Sequence, residues 1–258
     1  MTLRETIKQF IPPIALDAAR SLRGYRHKGR KAPDFSYLGE PFRTIKSKVP
    51  SQEFNIIFDI GANLGQSSLA YRQTLPGTTI HAFEPFPDTF NRLKDAVERE
   101  KNIFAHNLAL SDSSGTLTMS AVCDARMYRI ADVGARNGVL IKSTTVEEFC
   151  SKHEIDHVDF MKIDTEGHDL AVLQGCGVHI KNVDFIQCEA SANRYNRFHN
   201  YFIDIFNYMS DRGFYLFDIQ GIAYEWTGGG YPVMRRFDPI FINGHIVGKM
   251  RGVTSFWS

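Results

Sequence analysis

Paired cysteines, long apolar runs and surplus charge are all missing from this sequence. Cys123, Cys150, Cys176 and Cys188 stand singly, with no C-x-x-C spacing, which argues against a zinc site or a redox pair and leaves free thiols in a reducing compartment as the expectation. No apolar run reaches the length of a membrane span, and no signal-peptide core with a cleavage site is visible. Net charge is +1, so no overall field recruits nucleic acid or an acidic partner. The G-x-G-x-x-G turn of a dinucleotide site is also absent. What is present is ample for a core: 258 residues, 43% hydrophobic and 12% aromatic, fit one large domain with a small appendage.

The stretch Asn55 to Gln66, N-I-I-F-D-I-G-A-N-L-G-Q, organises the chain. Asn55 to Ile60 read as a short buried strand, and Gly61 and Gly65 mark a tight turn into a helix, the first βα unit of a nucleotide-binding α/β fold. Glycine there lets a ligand approach the backbone closely. The pattern is D-x-G-x-x-x-G, however, and Asp59 at a strand end would repel a phosphate while suiting a cationic ligand such as S-adenosylmethionine. Thr78 to Phe83 form a second strand closed by Glu84. An acid some twenty residues past the glycines reads as a ligand of ribose hydroxyls.

Further along, Pro87 suits a first helical turn, with Phe90, Leu93 and Val97 on one stripe. Asn102 to Leu110 read as a third strand, followed by the polar turn Ser111 to Gly115 and a strand at Thr116 to Ser120. The loop after the third strand of such a fold lies beside an adenine, so Asn107, Ala109, Leu110 and Asp112 are base-pocket candidates; a plain polar turn accounts nearly as well for Asp112. Cys123 to Val139 carry arginines without a clean period and form a candidate lid or a surface loop. Thr145 to Glu148 start a helix with a capping box.

A second chemical cluster is V-D-F-M-K-I-D-T-E-G-H-D, Val158 to Asp169. Val158 to Ile163 is a strand closed by Asp164, and Val183 to Cys188 is another closed by Glu189. Parallel neighbours put Asp164, Glu166 and Glu189 around the crevice at the strand carboxyl ends, with His168 close enough to join them. Any of the four could take a proton from an attacking hydroxyl. The acids could instead hold a divalent cation such as Mg that lowers the hydroxyl pKa, or Asp164 and Glu166 could merely cap the following helix. Asn193 to Tyr201, N-R-Y-N-R-F-H-N-Y, alternates rings and basic groups suited to a sugar or glycolipid head group or to a nucleobase, and a solvated loop before the next helix accounts for them equally.

D-I-G-A-N-L-G-Q-S-S at Asp59 to Ser68, F-E-P-F-P at Phe83 to Pro87, A-L-S-D at Ala109 to Asp112, T-T-V-E-E-F at Thr144 to Phe149 and K-I-D-T-E-G-H-D at Lys162 to Asp169 together resemble the FkbM family of S-adenosylmethionine-dependent methyltransferases. F-D-P-I-F-I, Phe237 to Ile242, resembles the family's closing strand. The resemblance covers about Asn55 to Asn243. It implies a Rossmann-like class I methyltransferase fold, a seven-stranded sheet with its last strand antiparallel and helices on both faces. It implies O-methylation of hydroxyls on sugars, polysaccharides, glycolipids or related natural products. By resemblance Asp59, Gly61, Asn63 and Gly65 line the methionine end of the cofactor and Glu84 the ribose, while the D-x-E-G element falls on Asp164, Glu166 and Gly167. The N/D-P-P-Y/F/W motif of amino-directed DNA enzymes is missing, and no cysteine follows a proline as C5-cytosine enzymes require. Attack by a hydroxyl is better supported than attack by an amine or a carbon.

The amino end lies outside the resemblance. Met1 to Lys31 carry eight Lys/Arg against Glu5 and Asp17, and Leu3, Ile7, Phe10 and Ile11, then Ile14, Ala18 and Leu22 after Pro12-Pro13, fall on helical faces. Two short basic amphipathic helices could lie on an anionic membrane, pack on the domain or bridge to an oligomer partner. Lys31 to Pro50 read as a linker. The organisation expected is therefore an appendage and linker at 1–50 and a methyltransferase domain at 51–258. The expected setting is cytoplasmic, and contact at the inner membrane face is one of the alternatives open to residues 1–31. The expected partner is a small-molecule or glycan acceptor, without nucleic acid. Two other functions compete: an NAD-dependent oxidoreductase, and a non-catalytic peripheral membrane module.

Overall fold

The computed structural model describes residues 36–121, 128–130, 138–196, 198–226 and 229–249. The basic segment 1–31 and most of the candidate lid at 123–139 lie outside the described residues. In chain order the elements are α1 (Glu40–Lys48), β1 (Ile56–Ile60), α2 (Gln66–Thr74), β2 (Thr79–Phe83), α3 (Pro87–Val97), β3 (Ile103–His106), β4 (Ala109–Leu110), β5 (Gly115–Ala121), β6 (Tyr128–Ile130) and β7 (Val139–Thr144). There follow α4 (Val146–Lys152), β8 (Val158–Ile163), α5 (Asp169–Gln174), β9 (Val183–Cys188), β10 (Ala190–Ser191), α6 (Phe202–Ser210), β11 (Phe214–Trp226), β12 (Pro232–Asn243) and α7 (Gly244–Lys249).

The main sheet runs β3-β2-β1-β8-β9-β12-β11, with β12 antiparallel to both its neighbours and the rest of the path parallel. That is the seven-stranded sheet expected, its last strand antiparallel, with the two-residue β10 added beside β12 as an eighth strand. The central strands β1, β8 and β9 are buried at all but one position each in β1 and β8, because helices cover both faces and period-2 alternation sends one set of side chains to each. Phe58, Ile60, Met161, Ile163 and Ile186 pack with Phe149 of α4, Val172 of α5 and Ile205 of α6. Ile57, Ile80, Phe160 and Phe185 pack on the opposite face with Phe42 of α1, Tyr71 of α2, Leu93 of α3 and Ile246 of α7.

Three expectations change. Part of the expected linker is a helix of the domain: Phe42 of α1 sits with ring centroids 4.8 Å from both Tyr71 and Phe160, and Pro41 in its first turn costs no hydrogen bond. The expected third strand is split at Asn107, whose amide donates to the Glu84 and Pro85 carbonyls at 3.0 and 2.9 Å; beyond it the chain leaves the main sheet. β4 joins a second sheet in the order β4-β7-β5-β6, so the turn chemistry at 111–115 opens a separate small sheet and not another strand of the first. The expected helix start at Thr145 is present, its Oγ1 accepting from Glu148 N–H at 3.0 Å. The Glu148 carboxylate, however, takes the hydroxyls of Thr144 and Ser114 and does not reach back to the cap. Cys150, Cys176 and Cys188 are buried free thiols.

Candidate active site

A cavity of about 420 Å³ opens at the carboxyl ends of β1, β2, β8 and β9, where an open parallel sheet presents its loops to a ligand. The β1–α2 turn is built from left-handed residues, Gly61 (φ +82°), Asn63 (φ +51°) and Gly65 (φ +85°). Gly61 and Asn63 line the cavity, and Gly65 does not. A Cβ on Gly61 would collide with the carbonyl of Asp164, and one on Gly65 would lie 3.0 Å from Leu93 Cδ1 and 3.3 Å from Val97 Cγ1. Glycine is needed there for the left-handed turn and for close approach of the β8 loop and of α3, a different reason from ligand access.

Glu84 follows β2 and lines the cavity. It accepts from the Asn63 N–H at 3.1 Å and the Phe86 N–H at 2.9 Å, and burial pushes its pKa up to about 7. Ala109 and Leu110 line the same cavity; Asn107 and Asp112 do not. Asn107 braces the loop after β2, and Asp112 is exposed in its turn, accepting from Ser111 and Ser113 at 3.0 and 3.1 Å.

Asp59 is fully buried and does not reach the cavity, so it cannot touch a cofactor's ammonium directly as expected. Asp59 pairs with Lys162 across β1 and β8 on the sheet face that carries α1 and α2, and its carboxylate is taken up by the Ser68 hydroxyl and the Lys162 ammonium. Asp59 Oδ2 accepts from Ser68 Oγ at 2.6 Å, and Oδ1 has only the Lys162 ammonium, 3.8 Å away. Lys162 lines the cavity and holds Asp164 at 3.0 Å. Burial raises the Asp59 pKa against the pull of Lys162. For Lys162, burial works to lower the pKa, but Asp164 and Asp59 outweigh it and raise it.

Asp164, Glu166, His168 and Glu189 all line the cavity, as the motif predicts. Glu166 is held at φ +53° ahead of Gly167 at φ +98°, an uncommon conformation for a side-chain-bearing residue. Its Oε2 is buried without a hydrogen-bond partner, and burial followed by the neighbouring Asp164 raises its pKa to about 7. Glu189 is occupied: Arg236 of β12 contacts its Oε1, and His199 Nδ1 lies 3.0 Å from its Oε2. His168 Nε2 is 2.8 Å from Ser111 Oγ, which ties the imidazole to the loop after β4 and not to the acids. Burial lowers its pKa, favouring the neutral ring. Asp169 is structural, accepting from Thr165 Oγ1 at 2.7 Å and from the Glu189 N–H at 3.1 Å. In the Asn193 to Tyr201 segment, the Phe198 carbonyl packs against Gly167, while Tyr195 is exposed.

Sequence reasoning gave no role to Lys162, Arg236 or Asp238, which also line the cavity. Their signal was charge inside otherwise apolar strands, M-K-I and R-F-D-P. Glu40, Glu84, Asp164, Glu166, Glu189 and Asp238 face the cavity against the cations Lys162 and Arg236. This acidic lining fits a cationic cofactor such as S-adenosylmethionine and disfavours a pyrophosphate. The donor set does not fit Mg: Glu166, Glu189 and His199 have ligand atoms within 4.8 Å of one another, but one is an imidazole, and Arg236 already neutralises Glu189.

The strand order and the site at the sheet's carboxyl ends define a class I methyltransferase architecture. The model of the Methyltransferase FkbM domain matches residues 59–216, more than half of the chain, which therefore belongs to the FkbM methyltransferase family. The chain is similar to hexuronic acid methyltransferase AglP of Haloferax volcanii, 28% identical over 145 residues that make up 55% of this chain and 58% of that one. It is also similar to 31-O-demethyl-FK506 methyltransferase FkbM of Streptomyces tacrolimicus, 36% identical over 74 residues, 28% of each chain. The matches thus span 58% and 28% of those relatives. Among solved structures, precorrin-6y C5,15-methyltransferase of Geobacter metallireducens is 13% identical, with 78% of this chain and 86% of that one covered and a TM-score of 0.44.

Proposed function

We propose that the protein is an S-adenosylmethionine-dependent O-methyltransferase acting on a hydroxyl of a sugar, a polysaccharide or glycolipid, or a related natural product. The observation that supports it most is the unpartnered Glu166 carboxylate oxygen on the same acid-lined cavity as Glu84 and the β1–α2 turn. The activities for which the two relatives are named, on a hexuronic acid and on demethyl-FK506, favour a polar oxygen-rich acceptor. An oxidoreductase reading finds no dinucleotide turn and meets an acidic cavity where a pyrophosphate would sit.

S-adenosylmethionine, when bound, supplies a methyl carbon activated by its sulfonium. Glu84 is the group to accept the ribose hydroxyls, since each of its oxygens keeps lone-pair capacity after one backbone N–H bond. The main chain around Gly61 and Asn63 would receive the methionine end, and Ala109 and Leu110 would back the base. Glu166, with a pKa near 7, is matched to taking the acceptor hydroxyl's proton as the oxygen–methyl bond forms and the methyl–sulfur bond breaks. Glu189, paired with Arg236 and His199, is better suited to fixing the acceptor than to acting as base. Most of the acceleration is expected from holding the oxygen in line, with proton removal adding to it.

The test is methyl transfer from labelled S-adenosylmethionine to a panel of uronic acids, glycans and macrolides, with Glu166→Gln as the partner variant. Transfer to at least one hydroxyl, lost in the variant with cofactor affinity kept, supports the reading. Transfer only to amines or carboxylates would remove the hydroxyl specificity.

A further inference from the structure

At the opposite end of the sheet from the cavity, two carboxylates sit side by side. Asp159 and Asp184 occupy the second positions of β8 and β9, whose register pairs Val158 with Val183. Both are buried. Among the described residues no lysine or arginine nitrogen lies within 4.0 Å of either; the only cation-capable neighbours are imidazoles. His157 Nε2 is 3.2 Å from Asp184 Oδ2 and 3.7 Å from Asp159 Oδ1. His245, at the start of α7, places Nε2 3.0 Å from the other Asp184 oxygen.

Each carboxylate is also aimed. Asp159 Oδ2 accepts from the N–H groups of Asn55 and Ile56 at 2.8 and 2.7 Å, which turns Oδ1 toward His157. Gln52 Nε2 donates to Asp184 Oδ2 at 2.9 Å. A divalent ion seated between the two carboxylates and the imidazole would engage all three at once. One imidazole and two carboxylates with ligand atoms within 4.8 Å of one another approach the spacing of about 3.3 Å between ligands on a tetrahedral zinc ion. Such bound carboxylates and histidines are typically oriented by outer hydrogen bonds of the kind Asn55, Ile56 and Gln52 make here.

We propose that His157, Asp159 and Asp184 form a binding site for a zinc-type divalent cation, with His245 orienting Asp184 from the other side and solvent completing the coordination. The nitrogen donor selects zinc over magnesium or calcium. The six-residue strands β8 and β9 separate this site from the cavity by about 16 Å, so its role is structural: it clips α7 and the start of β1 to the amino edge of the sheet.

The experiment strips the full chain with a chelator and titrates ZnCl₂, following heat and thermal unfolding, with MgCl₂ as the comparison. The wild type is expected to take up zinc at one saturable micromolar site with a raised Tm, and to ignore magnesium at the same concentration. His157→Ala should unfold at the metal-free wild-type Tm, because that side chain is half exposed, and should bind zinc at least 10-fold more weakly. His245→Ala should weaken zinc about 10-fold, as loss of an orienting partner does. No saturable zinc uptake by the wild type overturns the proposal. So does uptake unchanged in His157→Ala, including uptake lost only in His199→Ala, which would place the ion in the cavity.

Discussion

Replacing Lys162 by Met removes the cation that faces both Asp59 and Asp164 while keeping most of the side-chain volume. Asp59 is fully buried, and its Oδ1 has no hydrogen bond, so the loss strands a charge inside the protein. Breaking a buried pair costs roughly 3–5 kcal/mol. The Asp164 side chain is 40% exposed, so its share is screened by solvent and the lower end, about 3 kcal/mol, is expected. The penalty must depend on pH. Burial already raises the Asp59 pKa, and without Lys162 it rises further, so the folded state binds a proton that the unfolded state does not. Stability then falls as pH rises, by up to about 1.4 kcal/mol per unit for one proton. Urea unfolding of K162M and wild type at pH 8 and pH 5.5 should show the gap of about 3 kcal/mol shrinking by at least half at the lower pH. A gap that is equal at both pH values, or below about 1 kcal/mol at pH 8, would refute the charge triad of Asp59, Lys162 and Asp164.

Glu166→Gln should lower kcat roughly 10²–10⁴-fold with little change in KM, the range for a lost proton acceptor; in the wild type kcat/KM should climb with pH to a plateau above about 7, where Glu166 is ionised. Gly61→Ala must adopt φ +82° and move the Asp164 carbonyl, so a loss of about 3 kcal/mol in thermal unfolding is expected, well beyond the roughly 1–2 kcal/mol for left-handed backbone alone. Gly65→Ala, whose tight contacts are with the movable tips of Leu93 and Val97 and not with backbone, should cost less than Gly61→Ala in the same assay. Thr145→Ala removes the cap on α4 and should cost about 1 kcal/mol.

The order of strands and helices was legible because the buried parallel strands are near-continuous apolar runs closed by an acid, as at Asp59-Ile60, Asp164 and Glu189. Apolar stripes such as Phe90, Leu93 and Val97 mark the helices between them. The cavity's acids were legible for the same reason: residues at the ends of parallel strands converge whatever their distance in sequence. What stayed hidden depends on register and side-chain direction. Asp59 sits one residue inside β1, on the same face as Lys162, where the Ser68 hydroxyl and the Lys162 ammonium take up its carboxylate. Asn107 ends β3 through a hydrogen bond to a loop 22 residues earlier, which no local pattern reveals. The α1 helix looked like a linker because its proline and mixed charges obscure Phe42 and Ile45, whose partners Tyr71 and Phe160 are distant in sequence. Arg236 and Asp238 acquire meaning only when the antiparallel β12 inserts beside β9.

The most direct test of the cofactor claim is calorimetric titration with S-adenosylmethionine, beside NAD and beside Glu84→Ala. Saturable binding of S-adenosylmethionine alone, weakened about 10–100-fold in Glu84→Ala as expected for losing a charged hydrogen-bond acceptor, is the result predicted. No binding by folded protein, or NAD binding in its place, would contradict the account.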